Sequence, residues 1–331
     1  MSHAVSPRLI ETVVRKTLRE AKDSPERSLR NLVDLARYFS ASPAQQRFFD
    51  CAHQLLRDEH SPYYPLIRDL LSHVEEERLI SFGMALGYNS CVAGSRTRRA
   101  LADQGMRVPW FLTLQTLPGR TEPYQALVRQ GRELGIYTYA LLPREAPWEL
   151  LPLVDQNRDC AFILFCCPED MTTPFLEEAE SLTNLVLAVR CQEEAETACQ
   201  RLRERNFLYA LYTLYGEERD LPAEEFFCWA EHLHAPLALF LPRPDCPTAS
   251  LQRCYQQVDE VRRCQPFRTI PWDFLQDGLT VDRMIGGGVE PVWFNREGFL
   301  CSIPHEQALS HHTLFDRTLE ELFRESVSRA N

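Results

Sequence analysis

The residues best suited to chemistry in this 331-residue chain are its twelve cysteines, nine histidines and one glycine-flanked polar stretch, Gly87-Tyr88-Asn89-Ser90-Cys91-Val92-Ala93-Gly94-Ser95-Arg96. The stretch reads as a loop between an apolar strand and a helix. Tyr88, Asn89 and Ser90 offer hydroxyl and amide groups, and Cys91 offers a thiol. The helix start at Gly94 offers free N–H groups that suit an anion. With Gln115 and Arg190 at other strand ends, these residues form the candidate ligand-binding set. The same loop also reads as an ordinary strand-to-helix turn whose glycines relieve backbone strain.

Two sets have the residue types of a metal site. Cys91, Cys166 and Cys191 all fall at expected strand ends, where three converging thiolates can hold zinc or an iron–sulfur cluster. Cys166 and its neighbour Cys167 must point to opposite sides of a strand. Cys301, His305 and His311, with His312 adjoining, give C-x3-H-x5-H-H, a thiolate–imidazole tract that suits zinc. Its spacing matches no standard zinc unit, and no pair has C-x-x-C spacing. The plainer reading is reduced thiols serving as small core residues, and solvent-facing histidines. Strand-end carboxylates Glu169, Asp170, Glu217 and Asp273 can act as bases, or can cap helices and pair with arginine. No Gly-x-Ser-x-Gly elbow or His-Glu-x-x-His pair is present.

Composition removes other chemistries. Lys16 and Lys22 are the only lysines among 36 basic residues. From about residue 80 onward, therefore, nothing can form a Schiff base or complete a phosphate-binding loop. The net charge of −11 argues against a general nucleic-acid binder, which needs a basic face. The first residues, MSHAVSPRLIETVVRK, lack the apolar run of a signal peptide, and no stretch is long and apolar enough to span a membrane. A cytoplasmic protein is expected.

These groups must be positioned by elements whose pattern changes along the chain. Residues 1–78 have helical apolar spacing, broken by Ser24-Pro25, Ser42-Pro43 and Ser61-Pro62 into four short helices. From residue 79, continuous apolar runs alternate with amphipathic stretches. The runs are 79–86, 109–115, 136–142, 161–167, 185–190, 208–214, 237–241 and 269–274. Strands that are apolar on both faces belong to a parallel sheet covered by helices. The expectation is an α/β fold, a TIM-type (β/α) barrel, complete or partial, over 79–275. An open doubly wound sheet is the competing arrangement. An N-terminal helical segment (1–78) precedes it. A C-terminal appendage (276–331) follows, with a hairpin of 292–294 and 299–301 and a helix at 314–326.

The arrangement over roughly residues 79–303 resembles the radical S-adenosylmethionine superfamily. NLVLAVRCQEEAETACQRLRERNFLYALYTLYGE (184–217) is similar to that family's fifth strand, helix and sixth strand, and IYTYALLP and AFILFCCPED to its third and fourth strands. GGGVEPVWFNREGFLCSIP (286–304) is similar to the segment after the barrel, with Gly298 and Cys301 in the usual places. The resemblance implies S-adenosylmethionine as cofactor and a [4Fe–4S] cluster held by C-x-x-x-C-x-x-C after the first strand. That motif is missing. The loop expected there is GYNSCVAGS, with Cys91 alone, and Gln115-Thr116-Leu117-Pro118-Gly119 replaces the usual Gly-Gly-Glu. Two function classes follow. One is a non-catalytic or accessory protein that binds a small molecule or a protein partner in the barrel mouth. The other is an enzyme with altered radical or metal-dependent chemistry.

Overall fold

The computed structural model describes residues 7–38, 46, 49–50, 53–54, 56–217, 222, 224–244, 246–285, 292–302 and 307–329. Ten strands form one mostly parallel sheet in the order β10-β9-β8-β1-β2-β3-β4-β5-β6-β7. They are β1 (Phe111–Thr116), β2 (Thr138–Pro143), β3 (Ala161–Cys166), β4 (Leu185–Arg190), β5 (Tyr209–Tyr215), β6 (Leu237–Pro242), β7 (Ile270–Asp273), β8 (Val292–Phe294), β9 (Phe299–Ser302) and β10 (Ala308–Thr313). β1 through β7 are parallel neighbours in sequential order, with helices between them. Sequential order with right-handed crossovers puts every connecting helix on one face. Against that face pack Leu112, Leu114, Leu141, Phe162, Leu164, Leu187 and Leu211. The alternate residues Phe111, Ala140, Phe165, Ala188, Ala210, Tyr212 and Leu239 point to the other, inner face and need a different cover.

Part of that cover comes from curling. Phe111 on β1 meets Phe274, just after β7, with ring centroids 5.4 Å apart, and Phe165 on β3 meets Phe274 at 5.7 Å. In a flat sheet, six strand spacings would separate β1 from β7 by roughly 29 Å. The sheet is therefore rolled, and Phe111, Phe274, Phe165 and Tyr212 form a continuous aromatic layer across its inside. Backbone pairing does not complete the roll among the described residues. The N–H groups of Ile270 and Phe274 point to β6, where they bond Pro236 and Phe240. The outward positions of β7 are Pro271, which has no N–H, and Asp273, whose N–H bonds Asp277 Oδ2 at 2.9 Å. β7 thus has no free outward donor for a further strand. Side chains bridge the gap instead: the Trp110 indole donates to Gly278 O at 2.9 Å, and its backbone N–H to Asp282 at 3.1 Å.

The remaining cover overturns an expectation. Residues 79–86 are not a strand, and 87–96 are not a loop. The chain is α-helical over Glu76–Gly83, π-helical over Met84–Gly94 and α-helical again over Ser95–Asp103. Leu79, Phe82 and Leu86 follow helical spacing and pack on the inner face beside Cys91. A short apolar run cannot by itself distinguish a buried strand from a buried helix. The acidic first turn, Glu76 and Glu77, was the signal for a helix start. The first strand of the sheet is consequently Phe111–Thr116.

This helical segment lies across the amino ends of five strands. The Asn89 amide donates to Asp159 O before β3 at 2.8 Å, and the Thr138 hydroxyl at the start of β2 donates to Ser90 Oγ at 3.0 Å. Ser90 Oγ lies 3.4 Å from Trp110 O before β1. Arg78 donates to Glu180 O and Leu182 O before β4, and Glu75 N–H to Asn206 O before β5. Arg98 donates to Gly135 O, Ser90 O and Ile285 O. Gly94 and Gly135 make this fit sterically allowed. A Cβ on Gly94 would stand 2.3 Å from Gly135 O, and Gly135 itself has φ +84. The segment floors the rolled sheet.

At the other end of the chain, β8 pairs in parallel with β1 and β9 returns antiparallel to β8. The turn between them uses Gly298 at φ +87. β10, which the sequence pattern did not reveal, adds an antiparallel edge, and the last helix spans Leu319–Arg329.

Candidate ligand-binding mouth

The floor leaves the carboxyl ends of the strands as the open end of the roll. Counting alternate positions from the inner-face core identifies the side chains there. Gln115 follows Phe111 and Thr113 on β1, and Leu142 follows Ala140 on β2. Cys167 follows Phe165 on β3, Arg190 follows Ala188 on β4, and Leu214 follows Tyr212 on β5. Gln115, Leu142, Cys167, Arg190 and Leu214 are half-buried above the aromatic layer.

Arg190 stands at the centre of the polar part. It pairs in register with Tyr212 on β5, and its guanidinium donates to the Cys167 thiol sulfur. Burial raises the Cys167 thiol, Glu169 and Asp170 raise it further, and Arg190 opposes them. The thiol is therefore held protonated at neutral pH, which suits a hydrogen-bonding contact and not a nucleophile. Asp170 accepts the Cys167 backbone N–H at 2.7 Å, and Gln192 donates to Glu169 at 3.1 Å. Burial raises Asp170. These two carboxylates organise the β3 loop. Asp273 is fully buried, where it caps the helix Gln276–Ile285 and accepts the Tyr215 hydroxyl at 2.8 Å. Glu217 is exposed.

The structure divides the candidate set derived from sequence. Gln115 and Arg190 reach the mouth. Tyr88, Asn89, Ser90, Cys91 and Gly94 belong to the floor, at the opposite ends of the strands. Tyr212 lies within β5 and not at its end, so alternation from the core, and not position at a strand terminus, is the sequence signal for it.

The thiols divide in the same way. Cys91 is buried in the floor, and burial pushes its thiol up to about 12 against the influence of Arg98. Cys166 is buried on the helix face, and Cys191 follows Arg190, with burial raising its thiol to about 11. These three do not converge. Cys301 is fully buried, its thiol 3.5 Å from Phe299 O, while His311 is exposed on β10 and its backbone N–H bonds Glu325. His305 lies outside the described residues. Among the described residues, no group of three or more His, Cys, Asp or Glu side chains is placed to hold a metal ion. With β1 correctly located, the loop after the first strand is Leu117-Pro118-Gly119-Arg120, which has no thiol at all. The residues present do not fit a three-cysteine cluster.

No family profile matches the chain, and no curated protein matches it. Solved structures do. SuiB of Streptococcus suis bound to the precursor peptide SuiA superposes with a TM-score of 0.50 at 9% identity, covering 69% of this chain and 67% of SuiB. A second SuiB structure gives 0.51 at 9% identity, with 69% and 68% covered. A third, bound to S-adenosylmethionine, gives 0.48 at 10% identity, with 69% and 66% covered. Over about two thirds of its length this chain shares the fold of SuiB.

Proposed function

We propose that this chain is a cluster-free relative of the radical-S-adenosylmethionine fold, a partial (β/α) barrel serving as a non-catalytic or accessory protein that binds a ligand at its carboxyl mouth. The observation that carries the reading is the combination at the strand ends. The loop after β1 offers no thiolate, yet Gln115, Cys167 and Arg190 present hydrogen-bonding groups above the aromatic layer to which Tyr212 belongs. Packed aromatics stabilise the roll and occupy its inside between the floor and the strand ends. Arginine stays charged and forks onto carboxylate or phosphate, so the mouth favours binding over proton transfer.

The ligand is a small molecule carrying an anionic group, S-adenosylmethionine among the candidates, or a peptide, since SuiB itself has been solved with a precursor peptide. The proposed division is residues 1–78, 79–275 and 276–331, with the floor running across the first boundary. The protein is taken to be cytoplasmic, and no helix among the described residues is long and apolar enough to cross a membrane.

Thermal shift with S-adenosylmethionine and related adenosyl compounds tests the cofactor version. A rise in melting temperature that disappears in Arg190→Ala supports it. No shift at millimolar ligand sinks the adenosyl version and leaves the peptide version, which is tested by titrating SuiA-type peptides. Iron and visible absorbance near 400 nm in anaerobically purified protein would overturn the cluster-free reading outright.

A further inference from the structure

Two polar side chains on the inner face have no hydrogen-bond partner among the described residues. Thr113 Oγ1 and Trp293 Nε1 are both buried, at 2% and 8% residue exposure. They are register partners across the β1–β8 seam. Their sequence neighbours Leu112, Leu114, Val292 and Phe294 belong to the helix-face core, so Thr113 and Trp293 both point inward. Buried polar groups in native folds are nearly always paired, and an unpaired one is costly. Among the other buried orphan atoms of the described residues, Arg98 Nε and Asn184 Oδ1 sit on side chains that bond through their remaining atoms, and the Tyr63 hydroxyl stands alone outside the sheet. Thr113 and Trp293 have no such remaining bonds, and they adjoin.

We propose that this seam is a seat for a neutral amide edge, the adjacent carbonyl and N–H of a lactam-, imide- or peptide-type ligand. The indole only donates, so it faces the carbonyl. The threonine hydroxyl also accepts, so it faces the N–H. Neighbouring strands lie about 4.8 Å apart, close enough for both groups to lean onto one such edge. The neutrality of the ligand follows from the surroundings. β1, β2, β8 and β9 contain no charged residue, and a buried ion would have no partner there. Gln115, two residues further along β1 on the same face, is half-buried and lies between the seam and the mouth. The proposal thus deepens the mouth reading and rests on the same inner face.

The test uses the full chain and ligand-observed saturation-transfer NMR with 2-pyrrolidinone as probe and N-methyl-2-pyrrolidinone as its control. Saturable binding of the lactam is expected, with the N-methyl compound weaker. Thr113→Val and Trp293→Phe should each weaken lactam binding roughly three- to tenfold, the worth of one hydrogen bond. Thr113→Val, which conserves volume, should melt at or above the wild type, because it removes an unpaired polar atom. Absence of saturable binding, or binding unchanged in both variants, overturns the proposal. So does a lower melting temperature in Thr113→Val, which would mean that a structural water already pairs the hydroxyl. Lactam binding that needs Thr113 and Trp293 but survives Arg190→Ala upholds the seat even if the adenosyl compounds give no shift.

Discussion

The two ends of the rolled sheet are built on opposite principles. At the amino ends, Arg78 and Arg98 are each 1% exposed and spend their guanidinium groups on backbone carbonyls of the turns before β2 and β4, of the floor itself and of the helix Gln276–Ile285. Arg78 also lies over the Phe207 ring at 4.2 Å. At the carboxyl ends, Arg190 is half-buried, and the one side chain it bonds among the described residues is the Cys167 thiol. The same residue type thus serves as a clamp at one end and as a receptor at the other. The difference is whether its partners belong to the fold or have yet to arrive.

Removing a clamp is the most severe way to test that contrast. Arg98→Ala frees three buried carbonyls at once, and a hydrogen bond to a charged group is worth about 1.5–3 kcal/mol. The expected loss in unfolding free energy is about 3–5 kcal/mol, read from the urea midpoint. Arg190→Ala should cost at most about 1 kcal/mol on the same measurement, as partly exposed charged groups do. Equal losses would abolish the distinction. Gly94→Ala belongs with the first group. Its Cβ has a backbone oxygen at 2.3 Å, and overpacking of that kind costs about 1–3 kcal/mol.

This contrast also explains what the sequence made legible. The runs at 161–167, 185–190, 208–214 and 237–241 were readable as strands because a parallel strand buried on both faces is apolar throughout, and all four appear as β3 to β6. The hairpin of β8 and β9 was readable from Asn295-Arg296-Glu297-Gly298 between two apolar triplets. The floor was not. Its LISFGMAL run is as continuously apolar as a strand although only Ile80 and Ala85 in it are fully buried, and only the acidic turn before it tells helix from strand. As a helix, this segment places Tyr88, Asn89, Ser90, Cys91 and Gly94 at the amino ends of the strands and not at their carboxyl ends. β10 was unreadable for another reason. Its ALSHHT sequence is polar and exposed, and it joins the sheet through an irregular register with β9.

Asp273 sharpens the comparison, because it stands at the mouth end yet is built like the floor. Burial raises its carboxyl to about 6, even though the Gln276 N–H and Tyr215 hydroxyl favour the charged form. A carboxyl whose folded pKa lies above its unfolded value binds its proton more tightly when folded. Its contribution is therefore fully present below about pH 4 and is lost as pH rises through about 6. The change amounts to about 2–3 kcal/mol, and Asp273→Asn should remove that slope from a plot of stability against pH over this window. An unchanged slope would place its origin elsewhere.

The smallest expected effect concerns the histidines of β10. The His312 ring lies 3.2 Å from Glu325, and the His311 N–H bonds the same carboxylate. Burial pushes Glu325 up, but these two hydrogen bonds outweigh it and hold the carboxyl below its usual range. Both imidazoles face solvent, where an ion pair is screened and pays side-chain entropy. The His311→Ala, His312→Ala double variant keeps the backbone N–H on Glu325 and should change stability by less than about 0.5 kcal/mol. Elemental analysis should find no zinc that depends on the two side chains. A loss above about 1 kcal/mol together with released zinc would make β10 a third kind of region. Its polar groups would then be organised by a metal and not by the sheet.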